Sequence, residues 1–321
     1  MPTTNDQRPT TLFDTLIVGG GPAGLSAAIY LGRSLRSVAV LDCPEPGRSD
    51  WDQCNHNYLG FADGISIREL GDRGRKQAER FGASFFEERV TSVSRQADGL
   101  FAVRTDGALL CARTMILATG VRDRWVTFPG SEDFIGRSMH WCLVCDGYEM
   151  QGQRVLIVGN DDHSAEAALQ LRRFTREVSM LIEPGEAHLS SGMERILGER
   201  GIRVYRGRIA SALCREQGMC ESVATDAGDE IEVDHIFSML GAEPNSELAR
   251  SLGATLGPEG YITADTEART NVPGLYAAGD VTRLFSHQVI TAAHEGAAAA
   301  MAIAYDLFEQ ENGSAASRSR G

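Results

Sequence analysis

An α/β fold built from two nucleotide-type domains, the second inserted in the first, is predicted by three features of this 321-residue chain. The first is an internal echo: FDTLIVGGGPAGLSAAIYLGRSLRSVAVLD from Phe13 is matched by QRVLIVGNDDHSAEAALQLRRFTREVSMLIE from Gln153. Each half of the echo reads as a short apolar strand, a turn, an alanine-rich helix and a second apolar strand, which is one βαβ unit. The second is length, since a chain of this size is where two domains become the default. The third is a late strand, GLYAAGD, followed by a long alanine-rich helix from Gln288 onward. These carry no fold signature of their own and read as a return to complete the first domain. The expected division is therefore 11–123 for the first part of the first domain, 124–246 for the insertion, 247–310 for the second part, and a polar tail over 311–321.

Composition narrows the function. Forty-two per cent hydrophobic and 23% charged residues describe an ordinary globular chain. A formal charge of −13 argues against nucleic acid, whose phosphates demand clustered Lys and Arg. No run of about 18 apolar residues offers a membrane span, and the apolar stretch near Leu16 is broken by glycines and lacks a basic leader. A cytoplasmic protein is the expectation. The seven cysteines, at 43, 54, 111, 142, 145, 214 and 220, fit a reducing compartment better than a disulfide scaffold. Only Cys142 and Cys145 have a motif spacing.

The first echo holds a nucleotide site. Gly19, Gly21 and Gly24 form G-x-G-x-x-G directly after an apolar strand and at the start of a helix, with Pro22 and Ala23 inside the motif. Glycines allow a tight turn and close approach of backbone to a pyrophosphate, and the helix start supplies partial positive charge. Asp42 follows Gly19 by 23 residues, at the end of the second strand, where a carboxylate accepts hydrogen bonds from a ribose. A glycine turn that merely packs helix on sheet would not need Asp42. Further on, LLCARTMILATG reads as a strand ending in a turn at Thr119 and Gly120.

WCLVCDG places Cys142 and Cys145 three positions apart with Asp146 directly behind. A zinc site needs four ligands, and neither a second C-x-x-C nor a pair of closely spaced histidines is present to complete one. Two accidental core cysteines are a further alternative. The redox reading dominates both: neighbouring thiols open and close a short ring readily, and a carboxyl behind them can exchange a proton with the departing thiol. His140 and Trp141, just ahead of the pair, either tune and shield it or simply pack.

The trio GGGPAG, MILATG and GLYAAGD, together with a Cys pair followed by Asp-Gly, resembles the low-molecular-weight thioredoxin reductases among the flavoprotein disulfide reductases. That resemblance runs over nearly the whole chain. It implies two dinucleotide-binding, Rossmann-like domains of the FAD/NAD(P) disulfide-reductase type, with FAD in the first. It implies that Gly279 and Asp280 contact the flavin's ribityl and phosphate region, and that the helix starting at Gln288 and Val289 points N–H groups at the isoalloxazine. It also implies that Cys145 faces the flavin, that Cys142 exchanges with a substrate disulfide, and that Asp146 is the proton donor. A thioredoxin-like protein or a small disulfide or dithiol would be the substrate, and a homodimer the assembly.

The second echo departs from that family. Where it uses a glycine fingerprint for NADPH, this chain reads VGNDDHSAE: Gly159 remains, Asp161 stands in place of the second glycine, and Ser164 closes the motif. Asp161 and Asp162 bring negative charge towards any pyrophosphate. The arginines that hold a 2′-phosphate are replaced by Glu183 and Pro184, with Glu183 placed either to serve a ribose or to be a solvated acid. The expectation is an enzyme that does not use NADPH, its electrons coming from a ferredoxin or flavodoxin or through a second FAD or other nucleotide in the altered site. The large negative charge is awkward for an acidic ferredoxin. One alternative is a dithiol oxidase passing electrons from a substrate dithiol to oxygen, and another is a non-catalytic flavin redox sensor.

Overall fold

The computed structural model describes residues 11–43, 47–48, 51, 53–185, 188–282 and 286–313. The chain divides into two compact units: 1–50, 68–122 and 243–321 form the first, and 51–67 with 123–242 the second.

The first unit is organised on a seven-stranded sheet. Its centre is the strand Leu12–Val18, paired in parallel with Val38–Leu41 on one side and Leu109–Leu117 on the other. The inner residues Leu16, Ile17 and Val18 are buried on both faces, as a parallel strand covered by helices requires. Phe101–Thr105 and Val90–Arg95 extend the sheet antiparallel beyond Leu109–Leu117. The late strand Leu275–Ala277 does return, pairing in parallel with Leu109–Leu117. One face is covered by the Pro22–Arg33 helix and the 24-residue helix Val289–Asn312, both rich in alanine and glycine. Small residues let these helices approach closely: a Cβ on Gly296 would stand 2.0 Å from the carbonyl oxygen of Ala23.

The second unit repeats the plan on a five-stranded, all-parallel sheet ordered Met139–His140, His235–Ser238, Val155–Gly159, Val178–Ile182 and Arg203–Arg206. The helix Asp162–Leu171 follows Val155–Gly159 as Pro22–Arg33 follows Leu12–Val18. An antiparallel three-stranded sheet over Ile209–Glu216, Met219–Thr225 and Glu230–Glu232 is added to it.

Two differences from the sequence reading are physical. Residues 51–67, expected in the first domain, group with the second unit, where Trp51 joins a core cluster with Trp125 and Val126. The tail expected from residue 311 starts later: Glu311 and Asn312 still belong to the final helix, and Glu311 accepts hydrogen bonds from Arg36 and Arg113, each at 2.6 Å. The rest of that expected tail, 314–321, and the first ten residues lie outside the described residues. No helix among the described residues is long and apolar enough to cross a membrane.

Candidate functional site

In the first unit the glycine motif forms a cradle. Gly19 has φ +109°, and a Cβ there would sit 2.2 Å from the carbonyl oxygen of Ala118, so only glycine fits. A Cβ on Gly24 would lie 1.9 Å from the carbonyl oxygen of Gly19, which seats the helix against the turn. Gly21 is the N-cap of the Pro22–Arg33 helix and lacks a side chain to cap it; Pro22 occupies the first turn, where its missing N–H costs nothing, and Ala23 is buried behind it. That first turn contains no acid. The N–H groups at this start are thus left to an external anion, and the helix dipole favours one. Asp42, the residue after the strand Val38–Leu41, accepts from the Gly20 N–H at 2.8 Å. These residues fit the pyrophosphate and ribose of a dinucleotide such as FAD.

Other residues expected around that cofactor are brought into the same unit. Gly279 has φ +83°, its N–H donates to Glu295 Oε2 at 2.7 Å, and the Thr282 hydroxyl donates to the same oxygen at 3.0 Å. Asp280 pairs with Arg48 at 2.7 Å. Gln288 caps the long final helix from an extended backbone, without a side-chain cap, and Val289 begins it. Thr119 and Gly120 are tied to Asn245: the Thr119 hydroxyl donates to the Asn245 carbonyl at 2.7 Å, and the Asn245 N–H donates to the Gly120 carbonyl at 3.0 Å. Arg48 and Glu295 were not singled out from sequence. A buried acid on an alanine-rich helix, as Glu295 is at 9% exposure, was the available signal.

In the second unit Cys142 and Cys145 form a disulfide. Cys142 is the N-cap of the short helix Leu143–Asp146, and its sulfur accepts from the Cys145 N–H at 3.1 Å. Asp146 is buried, and its Oδ1 accepts from Gln53 Nε2 at 2.8 Å and lies 3.6 Å from His140 Nδ1. His140 in turn meets His235, ring nitrogen to ring nitrogen, at 3.0 Å. Trp141 packs edge to face on Trp125, which packs edge to face on Trp51, so all three tryptophans of the chain stand in one row beside the pair. Gln53 and His235 were invisible from sequence because they reach Asp146 and His140 from 93 and 95 positions away.

The second echo carries the clearest departure. Asp161 is the N-cap of the Asp162–Leu171 helix, and its carboxylate accepts from the Ser164 N–H at 2.8 Å while the Asp161 N–H donates to Ser164 Oγ at 3.1 Å. The backbone at Asp161 is extended, with φ −139°, so glycine is not demanded by conformation there. A closed capping box therefore stands where the first unit leaves its helix start open. The Asp162 carboxylate accepts, at 2.7 Å, from the N–H of Ser190, the N-cap of the separate helix Ser191–Glu199. Burial pushes the Glu183 carboxyl above its ordinary range, opposed by Arg208 and reinforced by Asp226.

A family model described as pyridine nucleotide-disulphide oxidoreductase matches residues 13–300. The chain belongs to that family. The thioredoxin reductase of Treponema pallidum (strain Nichols) is 34% identical over 308 residues, covering 94% of this chain and 99% of that protein. Among solved structures, HlmI superposes with a TM-score of 0.86 at 28% identity over 95% of each chain. The thioredoxin reductase of Streptococcus pyogenes MGAS5005 does so at 0.85 with 28% identity, over 93% of this chain and 99% of that one. As a pyridine nucleotide-disulphide oxidoreductase, the protein is a flavin-dependent enzyme of the thioredoxin-reductase-like type, with the α/β fold of that group.

Proposed function

We infer that this enzyme passes electrons between FAD and the disulfide of a thioredoxin-like protein, or a small disulfide, through Cys142 and Cys145, without drawing on NADPH. The observation that carries this reading is the capping box of Asp161 and Ser164. A nucleotide pyrophosphate binds a helix start because the first N–H groups lack partners and the dipole is positive there. Here the chain's own carboxylate already takes the Ser164 N–H and places a negative charge at that point. With Glu183 where a 2′-phosphate would need a cation, both ends of NADPH meet an acid.

The residues divide the labour of exchange. Cys142, whose sulfur receives an N–H bond, is the thiol that attacks or is attacked by substrate. Val144, between the two cysteines, and Tyr148, three residues beyond them, are 76% and 72% exposed and offer apolar surface suited to a macromolecular partner. Asp146 gives a proton to the departing thiolate of Cys145 and takes it back when the disulfide re-forms. Bound FAD supplies a two-electron store for the pair. Relatives named thioredoxin reductase support the reducing direction and a thioredoxin substrate. A ferredoxin or flavodoxin is the donor class this reading requires, and a second flavin in the altered site would face the same Asp161 carboxylate as NADPH. A homodimer and a cytoplasmic location complete the reading, the latter supported by five free cysteines.

The test is anaerobic turnover of oxidised thioredoxin, supported in parallel by NADPH and by photoreduced flavodoxin or ferredoxin. Turnover with a carrier protein and none with NADPH is expected, and it should vanish in Cys142→Ser and Cys145→Ser. Thioredoxin reduction by NADPH would sink the donor reading. Peroxide made from a dithiol in air, without carrier-driven reduction, would instead favour the oxidase direction.

A further inference from the structure

Behind the redox pair, Asp146 is joined by two histidines, His140 and His235, that thiol exchange as described does not use. Asp146 and His140 are 8% and 6% exposed. Among the described residues, the two buried side-chain atoms with no hydrogen-bond partner are Asp146 Oδ2 and His140 Nδ1. Leaving a buried polar group without a partner is costly, and two of them side by side call for an explanation beyond packing. His140 Nδ1 stands 3.6 Å from Asp146 Oδ1, and His140 Nε2 stands 3.0 Å from Nδ1 of the half-buried His235.

The sheet makes this juxtaposition. Met139–His140 pairs in parallel with His235–Ser238, and His140 stands opposite Phe237. His235 precedes Phe237 by two residues and so shares its face. The His140 ring consequently lies 5.2 Å, centroid to centroid, from both His235 and Phe237.

We propose that Asp146, His140 and His235 form a proton relay between the cysteine pair and the half-buried end at His235, with the two histidines acting as positioning residues through Asp146. The relay deepens the reading of Asp146 as the acid of exchange and rests on it. When a substrate thiolate attacks Cys142 sulfur, a mixed disulfide forms and the Cys142–Cys145 bond breaks. Cys145 leaves with the electron pair and takes the proton of Asp146. The carboxylate recovers a proton from His140 Nδ1, His140 Nε2 takes one from His235 Nδ1, and His235 Nε2 takes one from water. Each imidazole exchanges tautomer and neither acquires net charge. This suits His235, whose basicity is pushed down to about 4, chiefly by burial and then by His140, against Asp234 and Asp146, which favour its charged form. Re-forming the disulfide runs the same transfers backwards and restores both tautomers.

The experiment is single-turnover reduction of the Cys142–Cys145 disulfide in the flavin-loaded protein by dithiothreitol at pH 7, acid-quenched, alkylated and read by mass spectrometry. His235→Gln, which keeps a hydrogen bond but cannot shuttle a proton, should slow the step roughly tenfold or more, a part of the roughly hundredfold to ten-thousandfold that general acid–base catalysis supplies. Imidazole added to the buffer should restore much of that loss, which it would not do for a merely structural defect. His140→Gln should behave alike; should it fail to fold, His235→Gln alone decides. An unchanged rate in His235→Gln, with a slow Asp146→Asn, overturns the relay and leaves the acid role intact. A slow His235→Gln that imidazole does not rescue also overturns it, and an unchanged Asp146→Asn overturns both.

Discussion

Replacing Asp161 by glycine removes the capping carboxylate from the start of the Asp162–Leu171 helix and converts the second echo towards the open form seen at Gly21. Two contributions then change. A carboxylate about 5 Å from a phosphate, at an effective dielectric of about 20, repels it by about 3 kcal/mol, of which about a third survives salt screening. The Ser164 N–H, now engaged at 2.8 Å, becomes available to the phosphate, and a hydrogen bond to a charged group is worth about 1.5 kcal/mol or more. Together these give at least about 2 kcal/mol, a tightening of roughly thirtyfold for NADPH. Glycine is a tolerable N-cap and should cost only a few tenths of a kcal/mol in stability, whereas Asp161→Ala should cost about 1 kcal/mol. The two variants therefore separate ligand affinity from folding. Calorimetric titration of NADPH into native and Asp161→Gly protein at low salt reads the first, and urea unfolding the second. Equal NADPH affinity in the two proteins would refute the argument that the capping box closes the site.

Asp146→Asn should slow thiol–disulfide exchange by roughly a hundredfold or more, measured as thioredoxin reduction under single-turnover conditions; a change under twofold would remove Asp146 from the chemistry. His235, lowered from 6.5 to about 4, binds its proton less readily folded than unfolded, so its contribution to stability is present above about pH 6.5 and is lost as pH falls towards 4. That contribution reaches about 3 kcal/mol at most, and urea unfolding of His235→Gln across pH 4–7 should show a flatter acid limb than the native protein. Burial raises the Cys220 thiol to about 12 and pushes up Cys111, while Cys54 and Cys214 are exposed. Iodoacetamide at pH 8 should therefore modify Cys54 and Cys214 in the folded protein and reach Cys111 and Cys220 only after denaturation.

Much of the architecture was legible because it is written locally. Gly19, Gly21 and Gly24 sit between a strand and a helix whose periodicities are unambiguous, and the repeat from Gln153 marks the second unit in the same way. The return of Leu275–Ala277 to the first sheet followed from the late strand and helix having no fold signature of their own. The segment 51–67 was misassigned because its strands, Cys54–Asn55 and Ile65–Ser66, are two residues each and carry no period. The helix end at Asn312 was placed too early because Glu311 is held by Arg36 and Arg113, contacts across 275 and 198 positions. The negative charge of Asp161 at the altered motif is legible in the sequence, but its closure into a capping box with Ser164 depends on the backbone at the helix start. Around the cysteine pair, Cys142, Cys145 and Asp146 were named from spacing, but the side chains gathered behind Asp146 are Gln53, His140 and His235, only one of which lies near it in sequence.

The central claim is that electrons reach the cysteine pair without a nicotinamide donor. Stopped-flow mixing of the oxidised, flavin-loaded protein with stoichiometric NADPH, without air, tests it directly through the visible absorbance of the flavin. The flavin should stay oxidised for minutes with NADPH and bleach when dithiothreitol is supplied through Cys142 and Cys145. Bleaching by NADPH within a second would contradict the account.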